Sequence, residues 1–228
     1  MKIIGLGDSL MQFNSFQTYP QMGWIQQLPR FLKEPAKVPI YDFAVNGTST
    51  KSFINKGYYK RALDSVEKGD IVFISFGHND EKGYDKERYT KPYGEYQENL
   101  TRFYDEISAR GGTVIFLSSV ARVQFNSDNR TLKKSHGEYP QAMKETALGL
   151  KAYFIDLESL SRADYEKKGF EEDTKYIMYF PEGRYSNYPQ GKKDTTHLRE
   201  EGAFNICLLL YPELKKIRQI NPLLRDLG

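Results

Sequence analysis

The feature of this sequence that most constrains its fold is an alternation of short apolar segments with longer amphipathic ones. The apolar segments are rich in β-branched and aromatic residues and are bounded by Gly, Asp or Asn, which is typical of buried strands; they cover residues 2–6, 38–43, 71–76, 114–117 and 153–155. The amphipathic stretches predict helices over residues 23–32, 60–67, 93–110, 140–150, 159–168 and 199–210. Strands that alternate with helices predict an α/β fold, in which helices cover both faces of a parallel sheet.

Length and composition narrow the class of protein. A chain of 228 residues is long enough to bury a core without disulfides or metals, and we expect a single domain over residues 1–228. The net charge of +3 is too close to balance to indicate a nucleic-acid partner. The single cysteine, Cys207, excludes an intramolecular disulfide and lies in an apolar run that predicts a core position. No apolar run approaches the roughly 18 residues of a membrane-spanning helix, so we expect no membrane partner.

Polar motifs follow three of the predicted strands, and a fourth precedes the last predicted helix. Ligands bind at the carboxyl ends of the strands in parallel α/β sheets, so chemistry is expected at these positions. Each motif alone is also explained as a turn or a helix cap. Their joint occurrence favours a functional site; the motifs are Gly7-Asp8-Ser9-Leu10, Asn46-Gly47-Thr48, Gly77-His78-Asn79-Asp80 and Asp194-Thr195-Thr196-His197.

These motifs together contain the parts of a serine esterase. Ser9 is the candidate nucleophile, and it needs an adjacent base because a serine hydroxyl is a poor nucleophile at neutral pH. His197 can serve as that base, and Asp194, three residues earlier, can reach its Nδ1–H in a tight turn. The backbone N–H groups of Ser9 and Gly47 and the side-chain amide of Asn79 can donate hydrogen bonds to an oxyanion. We therefore expect a catalytic triad and an oxyanion hole built from these five residues.

No motif in the sequence indicates a cofactor. Gly5-Leu6-Gly7 begins a dinucleotide-binding GxGxxG pattern, but Leu10 occupies the position of the third glycine. The GxxxxGK[ST] phosphate-binding loop is absent, and the three histidines lack the spacing of metal ligands. We therefore expect an enzyme that works without a metal or an organic cofactor.

From the first strand to the last helix, the four motifs resemble the sequence blocks of the SGNH, or GDSL, hydrolase family. The resemblance implies a three-layer α/β/α sandwich with a parallel, five-stranded, flavodoxin-like sheet. It implies the same roles for Ser9, Asp194 and His197 as catalytic residues and for Ser9, Gly47 and Asn79 as oxyanion donors. Within the family, the sequence is most similar to the rhamnogalacturonan acetylesterase branch, through Gly23-Trp24, Phe76-Gly77-His78-Asn79-Asp80, Gly137-Glu138-Tyr139-Pro140-Gln141-Ala142-Met143 and Asn187-Tyr188-Pro189. The resemblance implies an acetylated, pectin-derived oligosaccharide as the substrate.

Further side chains are candidates for binding the sugar. Tyr185 and Tyr188 belong to an aromatic cluster before the last motif, and tyrosine rings suit stacking on sugars, although core packing also explains such residues. Arg122, after the fourth strand, can pair with a uronate carboxylate or with an Asp or Glu of the fold. His78 can contact the substrate or simply pack, and His136 lies in a polar stretch that predicts a surface or loop position.

The sequence leaves other functions open. A short-chain esterase, a lipase-like enzyme or a thioesterase would use the same residues, and a non-catalytic carbohydrate-binding protein on this fold is the alternative from another class. Asn46-Gly47-Thr48 is an N-glycosylation sequon, and a glycan on Asn46 would block the expected oxyanion hole. The first residues also lack the apolar segment of a signal peptide. These observations favour a bacterial cytoplasm, or secretion if a leader has been removed.

Overall fold

The structure, a computed structural model, describes residues 1–227 and is built on a central sheet of five parallel strands. The strands are β1 (Ile3–Gly7), β2 (Ile40–Asp42), β3 (Ile71–Ser75), β4 (Thr113–Leu117) and β5 (Tyr153–Ile155). Their order in the sheet is β2-β1-β3-β4-β5, and β1 pairs with both β2 and β3. Because the order changes direction between β1 and β3, the carboxyl ends of these strands border the crevice where ligands bind in such sheets.

Helices cover both faces of the sheet. One face carries α1 (Thr50–Asn55), α2 (Tyr58–Asp64), α3 (Gln97–Ala109) and α4 (Tyr139–Gly149). The other face carries a 3₁₀ segment (Trp24–Phe31), α5 (Leu157–Lys168) and the last helix, α7 (Glu200–Lys215). A short α6 (Phe170–Asp173) follows α5. The three-layer α/β/α arrangement expected from the sequence is therefore confirmed; the expected domain extends to Gly228, which lies outside the described residues.

Successive side chains of each strand point to opposite faces of the sheet and pack into two separate cores. In β1, Ile3 packs into the cluster that contains Trp24, whereas Ile4 packs into the cluster on the opposite face. In β3, Phe73 and Ile74 divide in the same way. Every residue of β1 and β3 is buried, because helices cover both sides of the sheet. This burial explains why the strands are continuous apolar runs and do not alternate between apolar and polar residues.

Several predicted elements have different boundaries. The helix predicted over residues 23–32 is a 3₁₀ segment that contains Pro29, which cannot donate a backbone hydrogen bond. The helix predicted over residues 93–110 begins as α3 at Gln97, because Tyr93 and Gly94 have non-helical backbone angles. The last helix continues beyond the predicted end at Leu210. The sequence does not predict α1, because a helix of six residues is too short to show a periodic pattern of apolar residues.

A second, two-stranded antiparallel sheet was also not predicted. It consists of β6 (Ile177–Phe180) and β7 (Lys192–Leu198), and α7 follows β7 directly. The polar sequence of β7 does not have the apolar pattern of a buried strand. Within residues 1–227, no helix has both the length and the apolar character needed to cross a bilayer.

Candidate active site

Three side chains from opposite ends of the chain form a hydrogen-bonded row at the carboxyl edge of the sheet. The Oγ of Ser9 lies 2.9 Å from Nε2 of His197, and Nδ1 of His197 lies 2.7 Å from Oδ2 of Asp194. Ser9 follows β1, whereas the other two residues belong to β7, so only tertiary folding brings them together. In this geometry, a base can take the proton of a hydroxyl group while a carboxylate holds the base in the correct tautomer.

A bulge in β7 makes this row possible. Side chains three residues apart in a regular strand point to opposite faces. However, β6 pairs with Lys193 and next with Leu198, so the residues between those two positions bulge out of the ladder. Within the bulge, Oδ1 of Asp194 accepts hydrogen bonds from the N–H groups of Thr196 at 2.9 Å and His197 at 3.0 Å. The tight turn expected from the sequence is thus present, but inside a strand and not in a loop.

The partners of Asp194 keep it ionised. Burial by itself would raise the pKa of this carboxyl, but the hydrogen bonds from the ring and backbone of His197 outweigh burial, and the pKa is lowered. The ammonium group of Lys192 lies 3.6 Å from Oδ2 and adds a favourable charge. An ionised Asp194 can stabilise the imidazolium that forms when His197 takes a proton.

The turn after β1 presents Ser9 to this row. Oδ1 of the buried Asp8 accepts the N–H of Leu10 at 3.0 Å, and the Asp8 carbonyl accepts the N–H groups of Met11 and Gln12. Burial raises the pKa of Asp8 to about 6. The N–H of Ser9 itself has no acceptor within residues 1–227, so it is available to a ligand oxygen.

Two further donors stand on the neighbouring strand ends. The N–H of Gly47, after β2, also lacks an acceptor in the described part of the chain. Its φ of +74° lies in the left-handed region that favours glycine, and an added Cβ would meet only Nη1 of Arg88, at 3.6 Å. Asn79, after β3, is buried and donates from Nδ2 to the carbonyl of Thr48 at 3.0 Å, which leaves its second N–H unused.

Asp80, next to Asn79, forms hydrogen bonds with three neighbouring segments of the chain. Its carboxyl group accepts hydrogen bonds from the N–H and the hydroxyl of Thr50, at 3.1 and 2.6 Å, and from the hydroxyl of Thr90 at 3.0 Å. The hydroxyl of Tyr139 donates to the Asp80 carbonyl at 2.9 Å. Burial raises the pKa of Asp80 to about 7. These contacts hold the loop of Asn79 against the helix that follows the second strand end.

His78 and Arg122, two of the candidates for binding the sugar, lie in a polar cluster, and Arg122 also lines the open cavity beside the loop of Asn79. Arg122 forms an ion pair with Glu81, whose other oxygen lies 3.2 Å from Nδ1 of His136. His78 is 5% exposed and packs edge-on against the ring of His136, with 4.2 Å between the centroids. The ion pair expected as one role of Arg122 and the packing expected as one role of His78 are thus present, while contact of either residue with the sugar stays a prediction. His136 lies in a loop, which is one of the two positions expected for it, but it is not at the surface, because a hydrogen bond between Nε2 and the Val120 carbonyl holds the ring inside.

His78, Glu81 and His136 also form a group that could hold a metal ion. Their ligand atoms lie within 4.8 Å of one another. Burial, and then the neighbouring His136, hold the pKa of His78 well below its ordinary value, so this imidazole is neutral. Glu81, however, is bonded on both oxygens, and an added cation would repel the guanidinium of Arg122. The donor set thus favours a polar cluster over a metal centre.

Aromatic side chains pack beside β7. Tyr185 makes a T-shaped contact with Tyr19, with 5.8 Å between the ring centroids, and the hydroxyl of Tyr188 donates to the carbonyl of Thr18. Tyr185 and Tyr188 thus hold the segment after Ser9 against the second sheet. The exposed rings of the segment after Ser9 are Phe13, Phe16 and Tyr19, at 43%, 83% and 49% exposure. The sequence does not single out these rings, because exposed loop residues follow no periodic pattern.

Comparisons with known proteins identify a family and several relatives. The model of the GDSL-like Lipase/Acylhydrolase family matches residues 6–203, a span that contains the whole row. Two proteins of Bacillus subtilis (strain 168) align over 211 residues and 92% of this chain. Rhamnogalacturonan acetylesterase RhgT is 34% identical, with 88% of its length aligned, and probable rhamnogalacturonan acetylesterase YesY is 31% identical, with 91% aligned.

Solved structures share the fold. Protein YxiM from Bacillus subtilis superposes with a TM-score of 0.78 at 24% identity; the match covers 94% of this chain and 56% of that one, so this chain spans about half of that structure. Axe2, an acetylxylan esterase from Geobacillus stearothermophilus, superposes with a TM-score of 0.60 at 14% identity, over 96% of this chain and 93% of the other. At these identities, the similarity shows the architecture alone.

Proposed function

Because this chain belongs to the GDSL-like lipase/acylhydrolase family, we propose that it is a serine esterase that removes acetyl groups from carbohydrate. The observation that carries this proposal is the row from Ser9 through His197 to Asp194, which ends among free oxyanion donors. The 34% identity to a rhamnogalacturonan acetylesterase supports an acetylated sugar as the substrate. The finer proposal is that the sugar is a rhamnogalacturonan oligosaccharide derived from pectin.

The first half of the reaction transfers the acetyl group to the enzyme. The Oγ of Ser9 attacks the acetyl carbonyl carbon while Nε2 of His197 takes the hydroxyl proton. The carbonyl oxygen becomes an oxyanion, which accepts hydrogen bonds from the N–H groups of Ser9 and Gly47 and from Nδ2 of Asn79. When the bond to the sugar oxygen breaks, Nε2 gives its proton to that oxygen. The sugar leaves with a free hydroxyl group and the acetyl group stays on Oγ.

The second half releases acetate by the same steps with water in place of Ser9. His197 takes a proton from water, whose oxygen attacks the acetyl carbonyl carbon, and the same donors hold the oxyanion. The bond between the carbonyl carbon and Oγ then breaks, and the proton on Nε2 returns to Oγ. The cycle needs only side chains and backbone groups of this chain, together with water.

The surface beside the site suits a sugar. An open cavity of about 510 Å³ adjoins the loop that carries Asn79, and its lining includes Lys82, Tyr84 and Tyr89. The ring of Tyr84 is 83% exposed, and aromatic rings of this kind can lie against the apolar face of a sugar.

Acidification is expected to lower kcat/KM. A protonated imidazole cannot accept the proton of Ser9, so activity falls as His197 becomes charged. Protonation of Asp194 does not cause this loss of activity, because its lowered pKa keeps the carboxylate ionised over the pH range of the measurement. The measurement is a pH–rate profile on p-nitrophenyl acetate, after checking that the protein stays folded. Activity that stays flat from about pH 8 to about pH 5, where histidines ordinarily titrate, would contradict His197 as the base.

The substrate is tested by measuring acetate release from matched esters. We expect wild-type protein to deacetylate acetylated rhamnogalacturonan oligosaccharides with a higher kcat/KM than acetylated xylo-oligosaccharides or an acyl thioester. The reason is the 34% identity to a rhamnogalacturonan acetylesterase. The small ester p-nitrophenyl acetate reports the chemistry without sugar contacts and serves as the control.

Each result narrows the assignment. Hydrolysis of p-nitrophenyl acetate without release from either oligosaccharide would discard the sugar and favour a short-chain esterase. A higher rate on the thioester would favour a thioesterase. Sugar binding with no turnover of any ester would favour a carbohydrate-binding protein. The cytoplasmic location expected from the sequence stays a prediction.

A further inference from the structure

The loop after β3 contains a lysine that the reaction described above does not use. The Nζ of Lys82 donates a hydrogen bond of 2.7 Å to Oδ1 of Asn79, the candidate oxyanion donor. Lys82 is half-buried, and within residues 1–227 no carboxylate lies at ion-pair distance from its ammonium group. The neighbouring cations Arg88 and Arg122, in contrast, are each bonded to a carboxylate. The main polar partner of Lys82 is therefore the amide of Asn79.

The two partners of Asn79 allow its amide only one orientation. An ammonium group can only donate, so Lys82 selects Oδ1. The carbonyl of Thr48 can only accept, so it selects Nδ2, which lies at 3.0 Å. Turning the amide over would place donor against donor and acceptor against acceptor in a buried site, which is costly. The remaining N–H of Nδ2 is thereby kept as a donor for the oxyanion.

We propose that Lys82 is a positioning residue for oxyanion stabilisation, an inference that rests on the acyl transfer proposed above. Its charged hydrogen bond holds the amide of Asn79 and draws electron density toward Oδ1, so that the N–H groups of Nδ2 become stronger donors. The hydrogen bond from Nδ2 to the substrate oxygen strengthens as negative charge develops on that oxygen. It therefore accelerates the reaction more than it tightens substrate binding.

A different role for Lys82 would be to bind a substrate carboxylate, because Lys82 also lines the cavity beside the site. The two roles predict different kinetics. A carboxylate anchor affects KM for acidic oligosaccharides and leaves a small neutral ester untouched. A positioning residue affects kcat for every ester, including p-nitrophenyl acetate, which has no carboxylate.

Steady-state kinetics of Lys82→Met on p-nitrophenyl acetate test the proposal. Removing an oxyanion donor outright typically costs about 10²–10³-fold in kcat, so weakening one is expected to cost about 10-fold, with KM changed by less than about twofold. Lys82→Arg keeps a charged donor and is expected to restore most of the rate. The matched control is Lys86→Met, which removes an exposed lysine of the same loop and is expected to match the wild type.

A double-mutant cycle separates this role from a structural one. Asn79→Ala alone removes the amide, so adding Lys82→Met is expected to cause no further loss if Lys82 acts through Asn79. A structural role would give losses that multiply, together with a lower melting temperature. If Lys82→Met does not fold, Lys82→Gln, which removes the charge and keeps a polar side chain, takes its place in the same cycle with Asn79→Ala.

Three results would overturn the proposal: an unchanged kcat for Lys82→Met, losses that multiply in the cycle, or an effect confined to KM for acidic oligosaccharides. The last of these would assign Lys82 to substrate binding. The proposed function fails independently of Lys82, if wild-type protein hydrolyses p-nitrophenyl acetate but no acetylated sugar. In that event the kinetics of Lys82→Met on the small ester still decide the role of Lys82.

Discussion

Replacing Ser9 with alanine is expected to lower the rate of acetate release by about 10⁴-fold or more, because the reaction loses its nucleophile. Removing the attacking serine of a Ser-His-Asp enzyme leaves only the residual catalysis of the oxyanion donors and of binding. Within residues 1–227, the Ser9 hydroxyl has one side-chain hydrogen-bond partner, Nε2 of His197 at 2.9 Å. Alanine at this position therefore removes the reacting atom and little else.

The measurement for Ser9→Ala is acetate release from the acetylated oligosaccharide and from p-nitrophenyl acetate. Ser127→Ala is a matched control, because Ser127 is an exposed serine in a loop. We expect both variants to keep the melting temperature of the wild type, and only Ser9→Ala to lose activity. Acetate release at the wild-type rate by Ser9→Ala would exclude the acyl-enzyme mechanism.

Asp194→Asn is expected to lower kcat by about 10⁴-fold, the loss known for the same change in a Ser-His-Asp protease. Asparagine can keep Oδ1 as the acceptor for the two backbone N–H groups that close the bulge. Its NH₂ group would then face Nδ1 of His197, where Oδ2 now lies at 2.7 Å. Because two donors cannot pair, the imidazole would move its proton to Nε2, which could then no longer accept the proton of Ser9.

The control for Asp194→Asn is Asp128→Asn. Oδ1 of Asp128 also accepts two backbone N–H groups, those of Arg130 and Thr131, in a turn that is not part of the row. We expect Asp128→Asn to keep full activity, which would show that losing a turn carboxylate does not by itself impair the enzyme. A loss of less than about 10-fold for Asp194→Asn would mean that Asp194 does not fix the tautomer of His197.

The central fold could be predicted from sequence because burial on both faces leaves a clear signal. β1 and β3 are completely buried and read as continuous apolar runs with sharp polar ends. β7 gave no such signal, because it is a largely polar strand whose pairing depends on β6. The interrupted start of α3 at Gly94 was missed for a related reason, since its side-chain periodicity continues across a local break in the backbone.

The candidate site was predictable to the extent that it lies at strand ends. Ser9, Gly47 and Asn79 each follow a strand that the sequence identifies, and a parallel sheet must bring such ends to one edge. Lys82 was not identified, because its partner Asn79 becomes apparent only when the loop is folded. His136 was misplaced because a polar neighbourhood in sequence does not reveal a buried acceptor such as the Val120 carbonyl.

The sequence by itself determined the type of sheet, the strand ends that carry chemistry, and the residue types of a serine esterase. These properties follow from local patterns, namely the period of apolar residues and the polar motifs after them. Only the tertiary structure decided that Ser9 lies within hydrogen-bond distance of His197, 188 positions away, and that Arg122 is paired with Glu81. Such contacts depend on distances between residues far apart in the chain. Packing sets these distances, and no local pattern records them.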